Sequence, residues 1–333
     1  MTEKRDARIP YNVGRENQFP KVYGDIPSFL GVPVTKDEGS LAMYDAAVFG
    51  VPWEGPITWG DPRGTGCDQI PKMIRLEAAR YGGFMPELEV DILEALRITD
   101  FGDVVTQSDS IKDTLQAVQK KAHAVFQKGL FPLVYGGDHS FTPEIIEGLC
   151  KNTPGKVGLI ILDSHFDNLD QYGEESHARC CPVNRISRIP GIKTDSIVHF
   201  GIRGPRNSRY GYQFAKEIGA EILTIRQIRA MGFAEALKQS IKIAQNGTQR
   251  FYVSVCSDAI DPAFNPGGPP DPDGLTSHEI LTAAFESCLQ GAAGFDFVEI
   301  YPYQPGASFS IHLAVWIGMY ALAGFAKAPK VSG

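Results

Sequence analysis

The residues best equipped for chemistry stand in Asp163-Ser164-His165-Phe166-Asp167, an Asp-x-His-x-Asp run directly after the apolar stretch 157–162. Carboxylates and imidazoles are metal ligands, and together they suit Mn, Ni, Fe or Zn rather than Ca or Mg. Alternate side chains of a strand share a face, so Asp163, His165 and Asp167 can converge only where a strand opens into a loop at its carboxyl end. Open α/β sheets place their sites there. A lone acidic residue or histidine at such a point more often begins a solvated loop, but two further segments weigh against that here.

Tyr135-Gly136-Gly137-Asp138-His139-Ser140 also follows a strand-like run, 131–134, and precedes a helix signalled by Thr142-Pro143-Glu144. Phe251-Tyr252-Val253-Ser254-Val255-Cys256-Ser257-Asp258-Ala259-Ile260-Asp261-Pro262 is a third strand running into an acid-rich loop. Three strand ends, each delivering His, Asp or Cys, point to one metal centre assembled from distant sequence.

In this order and spacing, Gly-Gly-Asp-His-Ser, Asp-x-His-x-Asp and Ser-x-x-x-Asp-x-x-Asp-Pro resemble the ureohydrolases, the arginase and agmatinase superfamily. The resemblance covers most of the chain. Phe49-Gly50-Val51-Pro52 with the segment 66–75, Asp100-Phe101-Gly102-Asp103-Val104, Gly201-Ile202-Arg203-Gly204 and Phe297-Val298-Glu299-Ile300-Tyr301-Pro302 extend it. It implies two divalent ions, Mn or Ni, with His139, Asp163 and Asp167 on one and Asp163, His165 and Asp258 on the other. Cys256 stands where the family motif, Ser-x-Asp-x-Asp-x-x-Asp-Pro, has a bridging aspartate. A carboxylate gives one oxygen to each ion, whereas a thiolate must reach both with a single soft sulfur. Thiolate binds Ni and Zn well, but a hard-ligand pair of Mn ions is less favoured.

The implied reaction is hydrolysis of a guanidino or biguanide carbon–nitrogen bond by hydroxide, formed where two ions lower the pKa of water. By the same resemblance Asp167 acts as general acid and base, Glu299 pairs with the substrate guanidinium, and His177 relays a proton. An ordinary ion pair for Glu299 and a surface position for His177 are the alternatives. Ala178-Arg179-Cys180-Cys181-Pro182, beside His177, departs from the family's usual neighbours. Asp138, Asp261 and Pro262 are assigned to loop shaping and to hydrogen bonds behind the ligands. Asp170, His199, His278 and His312 are left to surface or core. The loop 168–172 is read as lacking the Asn that helps arginase-like members hold an amino acid's carboxylate. Arginine is therefore disfavoured, leaving agmatine-like amines, guanidino acids, guanidine or a biguanide. Trp53 and Trp59 either line a pocket or pack in a loop.

Two readings stand. In one the chain is a catalytic amidinohydrolase, with nickel suited to Cys256. In the other it is a catalytically silent ureohydrolase-fold subunit supporting an active homologous subunit, as in two-component hydrolases acting on metformin. A thiol hydrolase using Cys256 as nucleophile is disfavoured, because such a thiol needs a His base and the nearby histidines serve as ligands.

The elements that must position these residues alternate between strand and helix. Helices are expected over 71–80, 111–127, after Thr142, and over 234–244 and 277–289. Strands are expected over 46–51, ending at Asp100, Tyr135 and Asp163, and over 196–202, 221–224, 250–256 and 296–300. This predicts an α/β fold, a single three-layer domain over 41–333, with a mostly parallel sheet and helices on both faces. Residues 1–40, rich in Pro, Gly and charge, read as an irregular arm over the surface or towards a neighbouring subunit. A chain of 333 residues, 43% hydrophobic and 21% charged, is of the soluble globular class. A net charge of -7 without a basic run argues against a nucleic-acid or anionic-membrane partner and suits a small cationic substrate. Six scattered cysteines read as reduced thiols in a cytoplasm. The first residues carry no apolar signal-peptide run. The apolar stretch 313–325 falls short of the roughly 20 residues needed to span a bilayer, so a buried helix is expected. The resemblance also implies a trimer or hexamer, of identical copies or with a homologous subunit.

Overall fold

The computed structural model describes residues 27–55, 64–107 and 110–329. Strand β1 (Ala46–Val51) leads through α1 (Ile70–Ala78), a hairpin of β2 (Phe84–Met85) and β3 (Val90–Asp91), and α2 (Ile92–Ala95) to β4 (Ile98–Asp103). Alternation then follows, with α3 (Ile111–Gln127), β5 (Phe131–Gly136), α4 (Thr142–Lys151), β6 (Val157–Leu162), α5 (Pro182–Ser187) and β7 (Ile192–Ile202). The chain continues through α6 (Arg209–Glu217), β8 (Glu221–Thr224), α7 (Ile225–Met231), α8 (Phe233–Ala244) and β9 (Arg250–Cys256). It ends with α9 (Ser277–Leu289), β10 (Phe295–Val298) and α10 (Ala307–Lys327).

Eight strands form one sheet in the order β4-β1-β5-β10-β9-β6-β7-β8. Every pairing within it is parallel, and the hairpin β2–β3 stands apart as an antiparallel pair. The strands are apolar on both faces because both are covered. Val48, Leu133, Leu162, Val255 and Phe297 pack towards α1, α8, α9 and α10, while Phe49, Val134, Ile161 and Tyr252 pack towards α3 and α4. This is the expected single α/β domain of three layers. Caps fix some helix starts: Thr276 and Glu279 form a reciprocal capping box at α9, and Ser110 accepts from Asp113 N at α3.

Three expectations need correction. The apolar stretch 313–325 lies inside α10, which has 21 residues, so length alone does not separate it from a membrane span. Its burial does so better, since 61% of its apolar window is packed inside the protein. The expected strand 296–300 stops at Val298, because Glu299 turns into left-handed backbone at φ 67°. The described part of the N-terminal arm is irregular and exposed at 33–34 and 36–39, but it is more than surface: Phe29 and Leu30 are fully buried in the core. Beside them, Val34 bridges Asp100, and Thr35 N donates to Asp100 O at 3.0 Å, covering the β4 edge of the sheet. Arg75 of α1 pins the same edge through Asp100 (2.7 Å) and Asp103 (2.5 Å).

His199, in β7 beside Ile161, is fully buried among apolar side chains, edge-on to Phe166. Burial pulls its pKa down to about 4, against a small upward pull from Asp163. The unfolded chain therefore binds a proton there from pH 6.5 downward and the folded chain only near 4, so stability falls as pH drops through that window. The loss should reach about 3 kcal/mol. Urea unfolding of metal-free protein between those limits should show it, and His199→Met should remove that part of the slope.

Candidate metal centre

Convergence of the site follows from strand order. β5, β10, β9 and β6 are immediate neighbours, and their registers align Tyr135 with Phe297, Cys256 with Val298, and Val255 with Leu162. Their carboxyl ends therefore lie level, about 4.8 Å apart from strand to strand. The loops carrying His139, Glu299, Asp258 and Asp163 leave side by side. Gly137 lets the first of them pass under the end of β1. A Cβ there would lie 1.7 Å from Trp53 O. Gly137 N and Asp138 N instead donate to Val51 O (2.9 Å) and Trp53 O (3.0 Å).

His139 Nδ1 lies 3.3 Å from Asp163 Oδ2 and 3.1 Å from Asp167 Oδ2. Its Nε2 lies 3.1 Å from Ser254 Oγ, which donates to Asp296 Oδ1 at 2.6 Å. On the other side His165 Nδ1 lies 3.0 Å from Asp258 Oδ2. The ligand atoms of His139, Asp163 and Cys256 fall within 4.8 Å of one another, as do those of Asp163, His165 and Asp258. Asp163 thus belongs to both groups, and its Oδ2 is buried without a hydrogen bond. Two donor sets sharing a carboxylate, whose Oδ2 has the His139 ring 3.3 Å away but no hydrogen bond, fit a pair of divalent cations.

The charges act strongly on one another. Burial opposes a charge on His139, but Asp163 and Asp167 outweigh it and raise its pKa. Burial and the neighbouring Asp163 raise Asp167, with His139 pulling the other way. For Asp258 burial is overcome by His165 and the Ser164 N–H, which bring the carboxyl to about 2. Cys256 has no such compensation: burial, then Asp163, Asp258, Glu299 and Asp167, push its thiol well above the ordinary range. Without cations beside it, the sulfur stays protonated.

Above these residues opens a cavity of about 320 Å³, lined by His165, Asp167, Cys256, Asp258 and Glu299 together with Arg179, Arg206 and Tyr301. That volume admits a small molecule. His139 and Asp163 lie buried behind it. His177 is not brought to the cluster. Its ring is half-buried and lies 3.1 Å from Glu175, on a loop closed back on itself by the Tyr172–Glu175 bridge. The residue that does enter is its neighbour Arg179, which reaches Glu299 at 2.9 Å and Glu54 at 3.0 Å. Tyr301 donates to the same Glu299 oxygen at 2.9 Å. Asp271, also unforeseen, pairs with Arg206 and lies 3.5 Å from His165 Nε2. A charge set within the small and apolar residues 178–182 was the one sequence signal for Arg179. Asn168 is buried and donates to Gly211 O at 2.8 Å. Trp53 packs into the core, and Trp59 lies outside the described residues.

Residues 44–324 match the model of the arginase family. The chain belongs to the arginase family. It is 27% identical over 283 residues to a guanidinopropionase of Pseudomonas aeruginosa, covering 84% of both chains. To the mitochondrial guanidino acid hydrolase of Homo sapiens it is 28% identical over 277 residues, 83% of this chain and 76% of that one. Among solved structures, the proclavaminate amidino hydrolase of Streptomyces clavuligerus superposes with a TM-score of 0.81 at 25% identity, over 92% of this chain and 99% of the other. The formiminoglutamase of Trypanosoma cruzi, solved with Mn2+, shares the fold at a TM-score of 0.81 and 21% identity, over 92% of this chain and 100% of the other. In the arginase-family chain described here, Cys256 should therefore resist alkylation while metal-free and folded. Mass spectrometry after iodoacetamide treatment at pH 7.5 should find it reacting at least ~100-fold more slowly than free cysteine. Urea should restore the ordinary rate, and fast reaction of the folded protein would contradict the buried, protonated sulfur.

Proposed function

We propose that this chain is a metal-dependent amidinohydrolase that cleaves a carbon–nitrogen bond of a small guanidino compound. The observation that carries this reading is Asp163, shared between two donor groups whose other members His165, Cys256 and Asp258 line a ligand-sized cavity. Relatives named for guanidinopropionate and guanidino acids lend it a substrate class. A bound pair of divalent ions, Mn or Ni, supplies the positive charge that makes water a nucleophile at neutral pH.

His139, Asp163 and Cys256 would hold one ion and Asp163, His165 and Asp258 the other, with Asp167 beside His139. In the net reaction water adds its oxygen to the guanidinium carbon and the bond to the substituted nitrogen breaks. That nitrogen departs as a protonated amine, and urea remains. Asp167 lines the cavity, and burial with Asp163 raises its proton affinity, so it suits the proton transfer to the leaving nitrogen. Arg206, half-exposed on the cavity wall, offers a cation to an acidic substrate tail, although Asp271 already pairs with it.

One observation favours a second reading, a silent subunit that supports an active homologous chain in a trimer or hexamer. Both Glu299 oxygens are taken by the protein itself, Oε1 by His139 N (2.8 Å) and Oε2 by Arg179 and Tyr301. Cys256 points the same way, since a protonated thiol is a poor ligand.

Elemental analysis of the purified chain, with turnover of guanidino acids, agmatine-like amines, guanidine and biguanides under added Mn or Ni, separates the two. Two ions per chain with urea release are expected from the hydrolase. Absence of both would move the activity to a partner chain. Cys256→Asp should shift metal preference from Ni towards Mn by roughly 10-fold or more while leaving the fold intact, on the scale typical of changes around a metal site. Competition dialysis with both metals reads that ratio.

A further inference from the structure

The pocket already holds a guanidinium. Arg179, from the loop between β6 and α5, is 3% exposed in its side chain, yet it lines the cavity beside Cys256 and Asp258. Its Nη1 donates to Glu299 Oε2 (2.9 Å) and to the Tyr301 hydroxyl (3.3 Å). Its Nη2 donates to Glu54 Oε1 (3.0 Å), with Asp138 Oδ2 3.6 Å away. Nε alone lacks a partner.

The fold, not the arginine, builds this seat. Glu54 accepts from Thr65 N (2.7 Å) and Gly66 N (3.0 Å), Asp138 from Gly55 N (2.6 Å), and Glu299 from His139 N (2.8 Å). The three carboxylates come from the ends of β1, β5 and β10, and each is held by backbone donors as well as by the cation between them. Burial opposes the charge on Arg179, but Glu299 and Asp138 outweigh it, so the side chain is a permanent cation there. A planar fork of N–H groups meeting several carboxylates is how any guanidinium, free or side-chain, would be recognised.

We propose that Arg179 is a resident pseudo-ligand: its guanidinium fills the cation seat made by Glu54, Asp138, Glu299 and Tyr301. The native pocket therefore turns external guanidinium away from Glu299, and a substrate's reacting group must lie on the side of His165, Asp167 and Asp258. Arg179 is thus a specificity-determining residue, and its removal creates a guanidinium-binding site. The inference rests on the reading of this pocket as one for guanidino compounds.

The test is chemical rescue of Arg179→Ala, read on metal-free protein by calorimetric titration and thermal melting with guanidinium chloride. Sodium chloride and urea at matched concentrations serve as controls for salt and for shape without charge. The variant should melt below the wild type and bind guanidinium saturably, with a dissociation constant on the order of 1 mM. Its melting temperature should recover as the site fills. Urea and sodium chloride should do neither, and the wild type should bind guanidinium more weakly than the variant. A folded variant that treats guanidinium like sodium would overturn the inference, as would a wild type that binds guanidinium as tightly as the variant. Should Arg179→Ala not fold, Arg179→Gln, which keeps the stem and removes the charge, takes its place and is held to the same outcomes. No turnover is read, so an inactive wild type leaves the inference standing and an active one does not rescue it.

Discussion

Carboxylates brought together out of water repel one another strongly, and at the carboxyl edge of this sheet Glu54, Asp138, Asp163, Asp167, Asp258, Asp271 and Glu299 share one region. Most of what surrounds them answers that crowding. His139 and His165 sit between aspartates, Arg179 lies among three carboxylates, and Arg206 faces Asp271. Backbone N–H groups take several of the remaining oxygens. Two of the acids, Asp167 (φ 43°) and Glu299 (φ 67°), hold left-handed backbone. That conformation costs a side-chain-bearing residue roughly 1–2 kcal/mol. It persists because the turn aims each carboxyl at its partners.

The neutralisation is uneven, and the unevenness divides the site. Around Glu299 the protein completes its own hydrogen bonding, with both oxygens of that carboxylate accepting from the chain itself. Around Asp163 it does not, and one buried oxygen is left without a hydrogen bond. Cys256 stands between the two regions as a neutral thiol surrounded by acids. One half of the cavity is satisfied by the chain alone, and the other is arranged for charge from outside.

Much of this could be read from sequence because the signals were local. The strand 250–256 and the helices 111–127 and 277–289 match the observed elements to the residue, since period and caps lie within each segment. The Asp-x-His-x-Asp, Gly-Gly-Asp-His and Asp-x-x-Asp-Pro runs place ligands at strand ends, and the contiguity of β5, β10, β9 and β6 brings those ends together. Arg179 was not legible, because its partner Glu299 is 120 positions away and no motif links an arginine in a cysteine-rich loop to a glutamate after a late strand. Nor could the sequence decide between a relay and a surface position for His177: loop direction depends on contacts such as Tyr172–Glu175 that periodicity does not encode. The core packing of Phe29 and Leu30 was hidden by their irregular surroundings.

The strand order carries a consequence for how the molecule comes into being. β10, the most C-terminal of the described strands, does not join an edge; it is inserted at the centre, between β5 and β9. Without residues 295–298 the strand order divides into two halves, β4-β1-β5 and β9-β6-β7-β8, each left with an open hydrogen-bonding edge. A growing chain cannot finish its N-terminal part and then add the rest, and long-range parallel pairing of this kind is slow and exposes sticky edges while it waits. Synthesis must pass residue 298 before this central strand can be placed, and only then can His139 and Glu299, 160 positions apart, meet.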